Sequence, residues 1–243
     1  GHEFHGLWQP AHTAPAPLLV HLPGYGHEMS AHPELVAQGY HVLHVSPLGY
    51  ASPSGPNVDR MREGTWPVFP ETVESAGERG YVEWFRDCLI AIEWGRSRDD
   101  VLPGRLSLFG TSQGGGAALL LGSVLRDAGV RCVAADEPFL THLPMARAAG
   151  SEALPEHADA LFGDPARAWA TLGFIDTISH AHRLTMPVLL TAGGDDPTCP
   201  PETIEALFSM LPGTRSLTRL DGVGHGYTVE FLHLASAWFR LFA

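Results

Sequence analysis

The sequence predicts an α/β protein with a mostly parallel sheet and helices on both faces. Three observations predict it. Short apolar runs alternate with longer stretches of helical periodicity. Most of the runs break at turns rich in glycine or proline. Repeated strand–helix alternation packs as a parallel sheet covered by right-handed crossovers.

The elements follow in order. Residues 17–22 (PLLVHL) form a short buried strand ending at Pro23-Gly24. Residues 31–38 read as a helix, with Ser30 as its N-cap and Gly39 beyond its end. Residues 40–45 (YHVLHV) are a second strand. Residues 46–79 are rich in Pro, Gly and Ser and read as irregular, and so long a segment in a compact domain is usually functional. Tyr81, Trp84, Phe85, Cys88, Leu89 and Ile92 recur at helical spacing, which sets an amphipathic helix over 80–97 with core aromatics. A strand over 105–109, a helix over 113–127 and a strand over 130–135 come next. Residues 136–173 read as irregular with short helical pieces. A strand at 187–192, a helix at 201–210, a strand at 215–220 and a helix at 228–242 complete the alternation.

Composition fits one domain over 1–243. At 243 residues with 44% hydrophobic and 17% charged side chains, the chain can bury about 70–75% of its unfolded surface. That excludes disordered, fibrous and disulfide-stapled classes. Fifteen basic residues against 27 acidic ones give a formal charge of −12. Nucleic acids and anionic membranes reward Lys/Arg clusters, so neither is an expected partner. No run of 18 apolar residues is present. No signal peptide is visible, so a cytoplasmic protein is expected, although the first residue is Gly1 and a leader could have been removed. Cys88, Cys132 and Cys199 read as buried or incidental thiols, with one disulfide and a spare left open. Eight of the 14 histidines lie between His2 and His44 without metal-ligand spacing, so no metal is expected.

The chemistry concentrates around Gly110-Thr111-Ser112-Gln113-Gly114. This Gly-x-Ser-x-Gly lies between an apolar strand and an apolar helix. A sharp strand-to-helix turn needs small flanks, and it lifts the serine hydroxyl above the sheet. A serine needs a base, and the base needs an orienting acid. After the strand at 187–192 stand Asp195 and Asp196, and after the strand at 215–220 stands His225 in a Gly-rich loop. Both loops leave the carboxyl ends of parallel strands, where such sheets bind ligands. Asp195 and Asp196 compete for the acid's place, and Asp221 lies too near His225. An oxyanion needs two donors. One is the backbone N–H of Gln113, and the other comes from the Pro23-Gly24-Tyr25-Gly26 loop.

The chain resembles the α/β-hydrolase superfamily throughout. More specifically it resembles the acetyl xylan esterase/cephalosporin C deacetylase family. Ser112-Gln113-Gly114-Gly115-Gly116, Asp136-Glu137-Pro138-Phe139-Leu140 and Asp196-Pro197-Thr198-Cys199-Pro200-Pro201 carry the likeness. The resemblance implies an α/β-hydrolase fold and hydrolysis of short acyl, notably acetyl, esters. It implies Ser112, Asp196 and His225 as the triad, with Tyr25 and Gln113 as oxyanion donors, and no cofactor. Trp66, Pro138 and Phe139 are pocket candidates whose bulk leaves little room for a long acyl chain. The expected partner is a small-molecule ester, and a homo-oligomer is left open. The family's R-G-Q motif is absent at Pro47-Leu48-Gly49, and the glutamate after its histidine is Gly226 here. Alternatives are a thioesterase, a lactonase or a small peptidase of the same fold, or a non-catalytic homologue that binds a ligand.

Overall fold

In the computed structural model, residues 2–154 and 164–243 are described. Seven strands form one sheet: β1 (His5–Gln9), β2 (Ala16–Leu22), β3 (His41–Ser46), β4 (Val101–Thr111), β5 (Val130–Asp136), β6 (Val188–Gly193) and β7 (Arg215–Leu220), in the order β1-β3-β2-β4-β5-β6-β7. Only β1 runs antiparallel to its neighbour. The fold class expected from alternation is therefore the observed one.

Side-chain alternation explains the two layers. Leu19, Val42, Phe109, Cys132, Ala134 and Leu189 point to one face. There they meet Phe231, Ala235 and Phe239 of the C-terminal helix Val229–Phe242. Leu18, Val20, Leu43, Val45, Leu108 and Val133 point to the other face, over the helices Tyr81–Arg96 and Gln113–Val124. Trp84, Cys88 and Ile92 are fully buried, as their spacing requires. Successive strand residues face opposite sides, so central strands covered twice must be apolar throughout.

The structure corrects several expectations. The strand β1 was not legible, because its HGLWQ text is half exposed and is fixed by backbone pairing with β3. The first helix, α1, spans only Pro33–Ala37, with Pro33 at its first position and no side-chain cap. Proline there carries preset helical φ and no N–H needing a partner, so the helix starts at Pro33 without Ser30. Residues 46–79 are partly regular, with short turns at Pro47–Gly49 and Val58–Arg60 and helix α2 at Val68–Glu74. Glu71 holds this segment from a buried position, with Arg62 at 3.4 Å and Arg79 at 3.2 Å. The helix of residues 81–96 is α3 and that of 113–124 is α4. Within 136–173 lie α5 (Leu143–Ala148) and α6 (Pro165–Gly173), and residues 155–163 fall outside the described residues. Helices α7 (Thr177–His180), α8 (Pro201–Met210) and α9 (residues 229–242) complete the chain. All three cysteines are buried and unbridged.

Candidate active site

Ser112 joins β4 to α4 with φ 57° and ψ −121°. A β-carbon in the left-handed region costs on the order of 1–3 kcal/mol and persists only where neighbours hold it. The Ser112 N–H donates to the Asp136 carbonyl (2.9 Å), and the Ser112 carbonyl accepts from Gly116 (3.0 Å) and Phe139 (2.9 Å). The flanking glycines are steric necessities. A β-carbon on Gly110 would stand 2.5 Å from the Leu22 carbonyl oxygen, and one on Gly114 would collide with that same oxygen.

The hydroxyl that this turn presents meets a histidine. His225 Nε2 lies 2.9 Å from Ser112 Oγ, and His225 Nδ1 lies 2.8 Å from Asp196 Oδ2. The other Asp196 oxygen accepts from the Thr198 and Cys199 N–H groups, both at 2.8 Å. Of the two adjacent acids, only Asp196 contacts His225. Asp196 is buried beside His225, whereas Asp195 is exposed. Asp221 is exposed too, and pairs with Arg219 at 3.4 Å.

A second carboxylate reaches the same imidazole. Glu137 is fully buried, with Oε2 3.3 Å from His225 Nδ1 and accepting from the Gly226 N–H at 2.8 Å. Its Oε1 has no hydrogen-bond partner and faces the Gly193 backbone. Burial is the main reason its pKa rises to about 7, with Asp136 and Asp196 adding to the rise. Burial alone would lower the His225 pKa. The Asp196 hydrogen bond and charge, then Glu137 and Asp136, outweigh burial and leave it raised. Asp136 itself is buried, bonded to Thr111 (2.9 Å) and Thr191, and burial pushes it up to about 6. Glu137 was quoted in the sequence only as part of a motif. No spacing rule pairs it with His225, because they are 88 positions apart and meet across β6.

Ser112 and His225 open into a cavity of about 850 Å³, large enough for a drug-sized ligand. Tyr25, Trp66, Phe139 and Tyr227 give it aromatic walls, and Arg62, Glu63 and Glu152 also line it. Of the pocket candidates, Trp66 and Phe139 are there. Pro138 is not: it is buried, its Cα packed where a β-carbon on Gly115 would stand 3.1 Å away. The cavity's size also removes bulk as an argument for small acyl groups. Tyr25 lines the cavity and its hydroxyl donates to the Trp66 carbonyl (2.8 Å) while accepting from the Trp66 N–H (2.7 Å). That ties the 23–26 loop to the segment before α2. The Gln113 N–H opens α4 and so has no intrahelical acceptor. Its side chain is locked between the Tyr50 hydroxyl (3.0 Å) and the Tyr81 hydroxyl (2.9 Å).

The acetyl xylan esterase family model matches residues 5–241. The chain belongs to the acetyl xylan esterase family. It is accordingly a carboxylic-ester hydrolase with the α/β-hydrolase fold. Solved structures agree on the fold. Acetyl xylan esterase 1 from Thermoanaerobacterium sp. JW/SL YS485 superposes with a TM-score of 0.81 at 22% identity, over 97% of this chain and 78% of that one. The acetyl xylan esterase of Paenibacillus sp. R4 gives 0.79 at 22% identity, over 99% and 80%. Est1E from Butyrivibrio proteoclasticus, solved with ferulic acid, gives 0.69 at 17% identity, over 98% and 93%. Against the acetyl xylan esterase motifs, two departures have structural counterparts. Residues 47–49 form a short turn whose Leu48 N–H donates to the buried Asp87 (2.8 Å). Gly226 replaces a glutamate after the histidine, and its N–H binds Glu137 instead. Among the described residues, no helix is long and apolar enough to cross a membrane.

Proposed function

We propose that the protein hydrolyses acetyl and similarly short acyl esters through a Ser112-His225-Asp196 triad. The observation that carries this reading is the continuous contact from Asp196 Oδ2 through both His225 nitrogens to Ser112 Oγ, opening into the cavity. His225 takes the Ser112 proton as Oγ attacks the ester carbonyl. The oxyanion is held by the N–H groups of Gln113 and Tyr25. The imidazolium, stabilised by Asp196, then protonates the leaving alcohol, and water repeats the sequence on the acyl-enzyme.

Family membership supports acetyl as the acyl group. The charged residues lining an otherwise aromatic cavity suit a hydroxyl-rich alcohol half such as a sugar. A fluorophosphonate probe should label wild-type protein and leave Ser112→Ala unlabelled. A panel of acetylated xylan, acetylated sugars, cephalosporin C and aryl acetates then ranks the alcohols. Equal labelling of both proteins, or no turnover of any acetyl ester, overturns the reading.

A further inference from the structure

Three buried histidines from a strand, its neighbour and a loop converge on the α1/α9 face of the sheet. His21 of β2 and His44 of β3 are register partners. His32 immediately precedes α1. Each is at most 4% exposed. His21 Nδ1 lies 2.7 Å from His44 Nδ1 and 2.8 Å from His32 Nε2, and the three residues offer ligand atoms all within 4.8 Å of one another. The sequence hid this cluster, because its members are 11 and 23 positions from His21 and share no helix.

Hydrogen bonding alone leaves the cluster unsatisfied. One ring nitrogen carries either one proton or one lone pair. His21 Nδ1 therefore cannot serve both close neighbours well. His44 reaches the cluster through Nδ1, and its Nε2 is buried with no partner among the described residues. All three rings are buried in the core, where a charged imidazole would be costly. Three neutral imidazoles crowded in a protein core are costly unless something uses their lone pairs.

We propose that His21, His32 and His44 form a binding site for one borderline divalent transition-metal ion such as Zn²⁺, separate from the catalytic triad. Three imidazoles are a common donor set for such ions. Tetrahedral coordination at about 2.0–2.1 Å places nitrogens roughly 3.3 Å apart. The two short contacts must therefore open by about half an ångström, which the loop carrying His32 can supply. His21 also lines the catalytic cavity, which gives the ion a route in. The ion would fasten the far end of the loop bearing Tyr25 to β2 and β3. The other ligand-like cluster among the described residues, Asp196, Cys199 and His225, contains two residues of the proposed triad and serves as the control.

The test uses the chelator-stripped full chain titrated with Zn²⁺ against a chromophoric competitor, with Co²⁺ absorption reporting geometry. The expected result is about one tight Zn²⁺ per chain, a tetrahedral-type Co²⁺ spectrum and a raised Tm. Binding should survive in His225→Asn and weaken at least tenfold in His32→Gln and in His44→Asn. Circular dichroism and ester hydrolysis in metal-free buffer report whether those two variants fold. X-ray absorption on zinc-loaded wild type counts imidazole ligands without any variant. Absence of stoichiometric binding, fewer than three imidazoles, unchanged affinity in folded His32→Gln, or loss of binding in His225→Asn overturns the proposal.

Discussion

Glu137 Oε2 stands 3.3 Å from His225 Nδ1, so the imidazole faces two carboxylates, Asp196 being the nearer at 2.8 Å. Asp196 is the better orienter, since its other oxygen is pinned by two N–H groups. Glu137 adds charge and anchors the His225 loop through Gly226.

Glu137→Gln should therefore shift the acid limb of kcat/KM to lower pH. In the proposed mechanism the neutral imidazole is the active base, and Glu137 helps raise the His225 pKa. Without that charge the proton leaves at lower pH. A pH–rate profile checks this; a drop in rate with an unmoved limb would mean that Glu137 acts only as a structural anchor.

The same substitution has a stability signature. The Glu137 pKa is raised to about 7 in the folded protein, so its contribution is fullest below the unfolded carboxyl pKa and is lost as pH rises through the folded value. Unfolding free energy of Glu137→Gln relative to wild type should therefore be more favourable at about pH 8 than at about pH 5. Urea unfolding at the two pH values measures it.

Asp196→Asn should lower kcat by roughly 10⁴-fold, because the amide favours the wrong His225 tautomer. Asp195→Asn, at an exposed position, should stay within a few-fold of wild type. Steady-state kinetics on an aryl acetate separates them, and an inactive Asp195 variant would reassign the acid.

Tyr25→Phe deletes both hydrogen bonds to the Trp66 backbone. Each is worth about 0.5–1.5 kcal/mol, so a loss of about 1–3 kcal/mol in urea unfolding is expected. The loosened loop carries the proposed second oxyanion donor, so kcat should fall as well. Full retention of kcat would mean that the bonds to Trp66 are not what hold that N–H in place.

Activity on aryl esters should peak at two to four acyl carbons. That expectation rests on family membership rather than on cavity bulk, and a pocket that rejects a methylene discriminates by about 1–3 kcal/mol. A kcat/KM series from acetate to decanoate tests it, and a flat or rising series would point to longer acyl groups.

Local sequence determined the sheet and the sharp turn that presents Ser112. Short apolar runs such as PLLVHL, bounded by turn residues, fit buried strands between covering layers, and Gly110-x-Ser112-x-Gly114 is dictated by crowding at one turn. His225 and two adjacent acids could be read from their places after strands. Position after a strand left Asp195 and Asp196 competing and only the family resemblance favoured Asp196, whereas in the structure burial separates the two, and burial is a property of the packed loop. Tertiary structure alone brought Glu137 to His225 and His21, His32 and His44 together. Those groups are far apart in the chain, and only the sheet order and the side to which each strand residue points set their distance. The edge strand β1 escaped notice for a related reason: backbone pairing with β3, rather than any hydrophobic pattern of its own, makes it a strand.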